Sequence, residues 1–410
     1  MADILHELPD FQDLATAFAF QSSHDLQRSL FLFRSMQYPF LIRMGAPWMT
    51  LAIKAPGVLR TLIKDMFFAH FFGGESLEEA EQVCKKLASY QVGSVLDYAI
   101  EGGQSDAALE HTVQETLAAI RFASSESGRF AVFKVSGIAP SALLEKQSAG
   151  QALSTEEQTE WRRIEARIER LCHETSQCGS SLLIDAEESW IQPAIDSLAE
   201  KSMRNFNQKK TVIYHTIQMY RHDRLHYLER LIRQSEEEGW KPGIKLVRGA
   251  YLEKERLRAV RLGYPSPLYP DKASTDHAYD QALEHCLNHR NQMALFAGTH
   301  NEASCLKLCQ MMIHQKIPAD DRQVIFSQLM GMGDHLTFNL ARAGFPVAKY
   351  VPYGPLTESL PYLMRRAEEN SSVRGQASRE LRLTRQELRR RRQELRRQRQ
   401  ENRRDRTVST

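Results

Sequence analysis

Apolar positions along the chain change their rhythm once. Up to about residue 90 they recur with helical spacing: Leu26, Leu30 and Phe33 fall at i, i+4 and i+7, and so do Leu59, Ile63 and Met66, with Pro39, Pro47 and Pro56 as punctuation. From about residue 92, short apolar runs rich in β-branched and aromatic residues alternate with amphipathic stretches, the pattern of repeated βα units. The runs are 92–98, 130–135, 181–185, 211–215, 244–248, 293–297, 324–328 and 347–351. The helices predicted after them are 107–126, 155–178, 188–205, 222–238, 273–291, 302–316, 333–343 and 357–370. Eight βα units predict an α/β chain closed into a TIM-like (βα)8 barrel, with its active site at the C-terminal ends of the strands. The expected organisation is an N-terminal helical arm (1–90), a barrel (91–370) and a basic C-terminal helical tail (371–410). No GxGxxG follows a strand, which argues against a Rossmann half. The excursion 251–272, with Pro265, Pro267 and Pro270, is long for a plain βα loop and is expected to serve binding.

Composition refines this picture. The 410 residues are 42% hydrophobic and 26% charged, the mix of a globular protein. No apolar run approaches the ~18 residues of a membrane span, and the first ten residues carry three acids without a basic cluster, so no secretory or transit segment is expected. A cytoplasmic location follows as the expectation. Cys84, Cys172, Cys178, Cys286, Cys305 and Cys309 are scattered without CxxC spacing, which disfavours disulfides and a zinc site; no metal is expected.

The net charge of +3 conceals an asymmetry. Residues 371–410 carry 14 Arg and five acids, a balance of +9, which leaves −6 on residues 1–370. The basic excess therefore belongs to one segment, and nucleic acid is not an expected partner. In that segment Leu381, Leu388 and Leu395 repeat every seven residues. One apolar position per heptad is too few for a dimeric coiled coil. The tail reads as a solvated, fraying helix, dispensable to the barrel, with attachment to an anionic membrane surface or an acidic partner as the other reading.

The predicted strand ends are unusually polar. Lys134 lies inside the second run, Asp185 ends the third, and Gln218 follows the fourth. Lys245 and Arg248 bracket the fifth, Thr299, His300 and Asn301 follow the sixth, Gln328 ends the seventh and Tyr350 lies in the eighth. Any one of these has an ordinary explanation as a solvent-facing residue or helix cap. Seven of eight strands delivering a polar group to one rim point to a concave polar site. In the last predicted helix Arg365 and Arg366 are adjacent, with Glu369 within a turn. They form either an exposed face or a guanidinium clamp for a carboxylate or phosphate.

Leu183-Ile184-Asp185-Ala186-Glu187-Glu188, Lys245-Leu246-Val247-Arg248-Gly249-Ala250-Tyr251, Gly298-Thr299-His300-Asn301 and Tyr350-Val351-Pro352-Tyr353-Gly354 occur in that order. With Tyr362-Leu363-Met364-Arg365-Arg366-Ala367-Glu368-Glu369-Asn370, they resemble the proline dehydrogenase family over roughly residues 20–375, most closely its monofunctional, eukaryote-like branch. The resemblance implies a distorted (βα)8 barrel that binds FAD, oxidises L-proline to Δ1-pyrroline-5-carboxylate by hydride transfer from C5 to the flavin N5, and passes electrons to a membrane quinone, ubiquinone or menaquinone. Peripheral association with the inner face of the cell membrane is left open. Lys134, Arg365 and Arg366 match residues that hold the substrate carboxylate, and Tyr251, Leu329 and Tyr350 those that pack around its ring. Asp185 matches the carboxylate beside that site, and Glu101 a gate that pairs with Arg365. Gln218, Val247, Gly249, Lys272, Thr299, His300 and Glu369 match flavin contacts.

The chain departs from many bacterial members in having Lys245 in place of Arg beside the flavin and Leu252 in place of Trp. Two alternatives remain at this stage. A sister branch acting on 4-hydroxyproline is marked by a smaller residue at the position of Tyr350, and a Schiff-base aldolase would use Lys134.

Overall fold

The computed structural model describes residues 7–36, 68–100, 105–126, 128–359 and 376–408. The strands are β1 (Gly93–Tyr98), β2 (Arg129–Lys134), β3 (Leu182–Asp185), β4 (Ile213–Gln218), β5 (Gly243–Val247), β6 (Ala294–Gly298), β7 (Val324–Leu329) and β8 (Val347–Tyr353). Each pairs in parallel with its neighbours in sequence, and β1 pairs with β8 in the register Val95 to Tyr350, so the sheet closes. Parallel strands covered by helices are buried on both faces, and the side-chain period of two sorts them. Val95, Phe130, Val132, Leu183, Tyr214, Phe296, Ile325, Ala348 and Tyr350 fill the interior. Leu96, Ala131, Phe133, Leu182, Ile184, Ile213, Leu295 and Phe326 face the helical shell.

The helices agree closely with the periodicity where strong caps exist. Thr155–Cys178 matches its predicted span; Ser154 and Glu157 form a capping box at its start, and Gly179 ends it in the left-handed region (φ 68°). β4 differs most from expectation. It ends at Gln218 because its polar residues find partners in the fold: His215 bonds Asp196 at 2.9 Å, and Gln218 donates to the Glu187 carbonyl at 2.6 Å. The long excursion after β5 carries a helix of its own, Leu252–Leu262. Of the helix predicted over 357–370, residues 360–370 lie outside the described residues, as does the run that includes Leu59, Ile63 and Met66.

The tail departs from its solvated reading. The helix Gln376–Val408 packs along Ser23–Met36. Leu381 enters a cluster with Phe68, Phe71, Phe72 and Met332, while Leu383 and Leu388 join Ala17, Phe18 and Leu26. Glu380, Thr384 and Glu387 are buried as well. The seven-residue pattern understated this face because two of its polar residues, Glu380 and Glu387, have designated partners. Arg391 donates to the carbonyls of Phe18 at 2.7 Å and Gln21 at 2.9 Å, and Glu387 binds Arg390 and Arg391. Beyond that contact, residues 392–402 are exposed.

Candidate active site

At the C-terminal ends of the strands the barrel interior turns from apolar to charged. Asp97 of β1, Lys134 of β2, Asp185 of β3 and Lys245 of β5 converge there, and all four side chains are no more than 14% exposed. Two carboxylates and two ammonium groups sum to zero, which makes their burial tolerable. Lys245 Nζ donates to Asp185 Oδ1 at 2.5 Å and to the Tyr350 hydroxyl, and it stands 4.4 Å from the Tyr350 ring centroid. Lys134 Nζ lies 4.0 Å from Asp97 and 3.9 Å from Asp185. Burial draws Lys245 below the usual lysine range, and Asp185 opposes that pull.

Four of the residues expected to form the site, Lys134, Asp185, Lys245 and Tyr350, thus meet directly. Leu329, at the end of β7, packs against both the interior cluster and the outer aromatic cluster that holds Leu381. Tyr251 is half-buried immediately before the helix Leu252–Leu262. Glu101, Arg365, Arg366 and Glu369 lie outside the described residues.

A second polar chain runs around the rim from β4 to β7. Gln218 holds the Glu187 carbonyl, and its Oε1 accepts from Ala250 N at 3.4 Å. The Glu187 carboxylate in turn accepts from the Ser136 N–H at 2.9 Å and from the Ser136 hydroxyl, just after Lys134. Burial pushes that carboxyl up to about 7. Lys272 pairs with Asp276, Asp276 with Arg248 at 2.6 Å, and Arg248 donates to Thr299 Oγ1 at 2.6 Å. His300 Nε2 accepts from Leu329 N at 3.4 Å. Val247 is half-buried at the end of β5, and at Gly249 (φ 138°) an added Cβ would fall 2.5 Å from the Tyr220 ring. Gln328 and Asn301 serve the frame: Gln328 donates to the Thr299 carbonyl at 3.1 Å, and Asn301 caps the helix Glu302–His314.

Two residues of this site, Asp97 and Asp276, escape the sequence reading. Asp97 sits inside an apolar run, where its one available signal was a carboxylate in a strand with no exposed face. Arg248 stands among the polar strand-end residues, and Asp276, within a helix, carries no signal at all until folding brings it to Arg248.

The inner rim also fits a flavin. Ser327 Oγ, on the interior side of β7 between Ile325 and Leu329, is buried with no hydrogen-bond partner among the described residues. Around it the strand ends offer an ammonium, an amide, a threonine hydroxyl and an imidazole, with Arg248 and the exposed Lys272 as cations farther out. A cavity of about 640 Å³ opens at the opposite, N-terminal end of the barrel, lined by Gly93, Gly128, Phe130, Tyr214 and Ile325, and contains none of the charged set.

Comparison with known proteins agrees with this architecture. The family model described as proline dehydrogenase matches residues 80–379. The chain is 37% identical to the carbapenem antibiotics biosynthesis protein CarD of Pectobacterium carotovorum subsp. carotovorum over 314 residues, 76% of this chain and 81% of that protein. It is 39% identical to human mitochondrial proline dehydrogenase 1 over 231 residues, 56% of this chain but 38% of that protein. To mitochondrial proline dehydrogenase 2 of Arabidopsis thaliana it is 29% identical over 425 residues, 92% of this chain and 89% of that protein. The fold is like that of the crystal structure of proline utilization A from Bdellovibrio bacteriovorus inactivated by N-propargylglycine, with a TM-score of 0.72 at 16% identity, covering 89% of this chain and 42% of that one.

Proposed function

The chain belongs to the proline dehydrogenase family, a family of oxidoreductases acting on proline, and on that premise we propose that it oxidises L-proline to Δ1-pyrroline-5-carboxylate with FAD as hydride acceptor and a membrane quinone as electron acceptor. The observation that supports this most is the neutral, buried set of Asp97, Lys134, Asp185 and Lys245 beneath Tyr350. A preorganised charged floor can hold a small zwitterion in one orientation, which is what hydride transfer from a single carbon requires.

When bound, FAD supplies the hydride-accepting centre. Lys134, with Arg365 and Arg366, holds the substrate carboxylate. Tyr350, Tyr251 and Leu329 wall the ring and exclude water, and Asp185 keeps Lys134 and Lys245 in place. Lys245, Gln218, Val247, Gly249, Lys272, Thr299, His300 and Glu369 would hold the flavin, with Arg248 bonded to Thr299 beside them. Glu101 is assigned to the gate with Arg365. The aldolase alternative loses support because Lys134 stands between two carboxylates and not in an apolar pocket.

Ubiquinone or menaquinone is the proposed acceptor class, and the exposed, Arg-rich stretch 392–402 supports peripheral membrane association at the cytoplasmic side. The decisive experiment is a visible spectrum of the purified protein. A flavin band that bleaches on addition of L-proline is expected; a protein that carries no flavin, or a flavin that proline leaves oxidised, overturns the proposal.

A further inference from the structure

The loop from Leu329 to Asp334 joins β7 to the helix Asp334–Arg342 and touches the site at both ends. Its first residue, Leu329, packs against the barrel interior and donates its N–H to His300. Near its other end, Gly333 takes a left-handed conformation (φ 65°), and an added Cβ there would come within 2.8 Å of His300 Nδ1. Displacement of this loop therefore moves a wall of the site and a neighbour of His300 together.

Four side chains from outside the loop hold it. Lys349 donates to the carbonyls of Met332 at 2.5 Å and Leu329 at 3.2 Å, and to Asp334 at 2.6 Å. His70 Nε2 meets the Gly331 carbonyl at 2.8 Å. Gln21 donates to Asp334 Oδ2 at 2.5 Å. The fourth comes from the tail: Glu380, itself 4% exposed, accepts the Gly333 N–H at 2.9 Å. Arg379, its neighbour, pairs with Glu302 at the start of the helix that follows His300. The tail thus grips both elements that carry site residues on this side of the barrel.

We propose that Glu380 is a positioning residue for the active site, holding the Gly333 end of the loop so that Leu329 and His300 keep their places. The inference rests on the reading of Leu329 and His300 as substrate-side and flavin-side residues. Glu380→Gln keeps an acceptor for the Gly333 N–H, Glu380→Asp keeps the carboxyl but withdraws it by one methylene, and Glu380→Ala removes the acceptor altogether.

The test compares these variants with Leu383→Ala, which opens a hole in the Ala17, Phe18 and Leu26 cluster on the same helix without touching the loop. For each, kcat, the proline KM, the flavin's visible circular dichroism and its reduction potential are measured on the flavin-loaded protein. Glu380→Ala and Glu380→Asp are expected to lose roughly 10- to 100-fold in kcat/KM, the size that follows from a small misplacement outside the chemistry, with a changed flavin dichroism and potential. Glu380→Gln should restore both towards wild type, and Leu383→Ala should lower the melting temperature while leaving both unchanged. If Glu380→Ala fails to accumulate, Glu380→Asp carries the same expectation. Glu380→Asp with wild-type kcat/KM and flavin signals overturns the proposal, as does a Leu383→Ala variant perturbed in the same way. A wild-type protein that binds no flavin or leaves proline unoxidised would instead overturn the functional reading beneath it.

Discussion

Two truncations separate the docked half of the tail from its exposed half. One ends the chain after residue 375 and the other after Arg391. The first removes Leu381, Leu383 and Leu388, all at most 6% exposed. At about 1.5–3 kcal/mol for each fully buried apolar side chain, that is about 5–9 kcal/mol, an upper estimate because the unfolded chain is itself partly collapsed. It also removes the Glu380 bond to Gly333, worth about 0.5–1.5 kcal/mol, and the Arg391 bonds to Phe18 and Gln21, which come from a charged group and are worth about 1.5–3 kcal/mol each. A domain is stable by only about 5–15 kcal/mol, so this loss is comparable with the whole. The second truncation removes only positions beyond the last docked residue, of which 392–402 are exposed, and should cost less than about 1 kcal/mol. Urea unfolding followed by circular dichroism reads both. The shorter chain is expected to unfold at a much lower urea midpoint or to fail to accumulate, and the longer one to match the full-length protein. Coinciding midpoints for all three would refute the reasoning, because the tail would then be the dispensable appendage that its composition suggests.

Four further outcomes follow from the same geometry. The chain ended after Arg391 should bind anionic vesicles less than full-length protein at low salt, measured by co-sedimentation; equal binding would remove the basic stretch from any membrane role. Lys245→Met leaves Asp185 short of its 2.5 Å partner and should destabilise by about 3–5 kcal/mol in thermal unfolding, with Asp185→Asn added to it recovering part of the loss; a single variant as stable as wild type contradicts the pairing. The proposed function expects a kcat/KM preference for proline over trans-4-hydroxy-L-proline, which Tyr350→Ser should narrow by removing the ring; equal turnover of both substrates by the wild type would overturn the assignment to the proline branch. Burial pushes Glu380 up to about 7 from an ordinary 4.5, beside Asp334, Lys349 and Arg379, so between those values the folded chain retains a proton that the unfolded chain has lost, and stability falls as pH rises. Burial draws His70 and His335 down to about 4 from 6.5, so there the unfolded chain holds the extra protons and stability rises with pH, opposing Glu380. Glu380→Gln should therefore gain stability relative to wild type from pH 4.5 to 7, by about 3 kcal/mol at most, and level off above; a pH-independent difference in urea midpoints would refute this.

Much of this protein was legible in one dimension because its governing periods are local. Strand and helix alternation is written in the spacing of apolar residues, and eight repetitions leave a closed parallel barrel as the economical solution. That closure also tells which residues share an end, so Lys134, Asp185, Lys245 and Tyr350 could be grouped before any coordinate. What sequence could not decide were the pairings between residues far apart in the chain. Asp97 looks like a flaw in an apolar strand until Lys134 arrives 4.0 Å away, and Asp276 is an ordinary helix residue until Arg248 reaches it. The tail shows the limit most clearly. Its arginines and single leucine per heptad describe a solvated helix by composition, yet Glu380 and Glu387 are buried, because the cost of burying a polar group depends on whether a partner waits for it. Periodicity along the chain can assign a face; only the tertiary structure supplies the Gly333 N–H and the Phe18 carbonyl that make the polar half of that face worth burying.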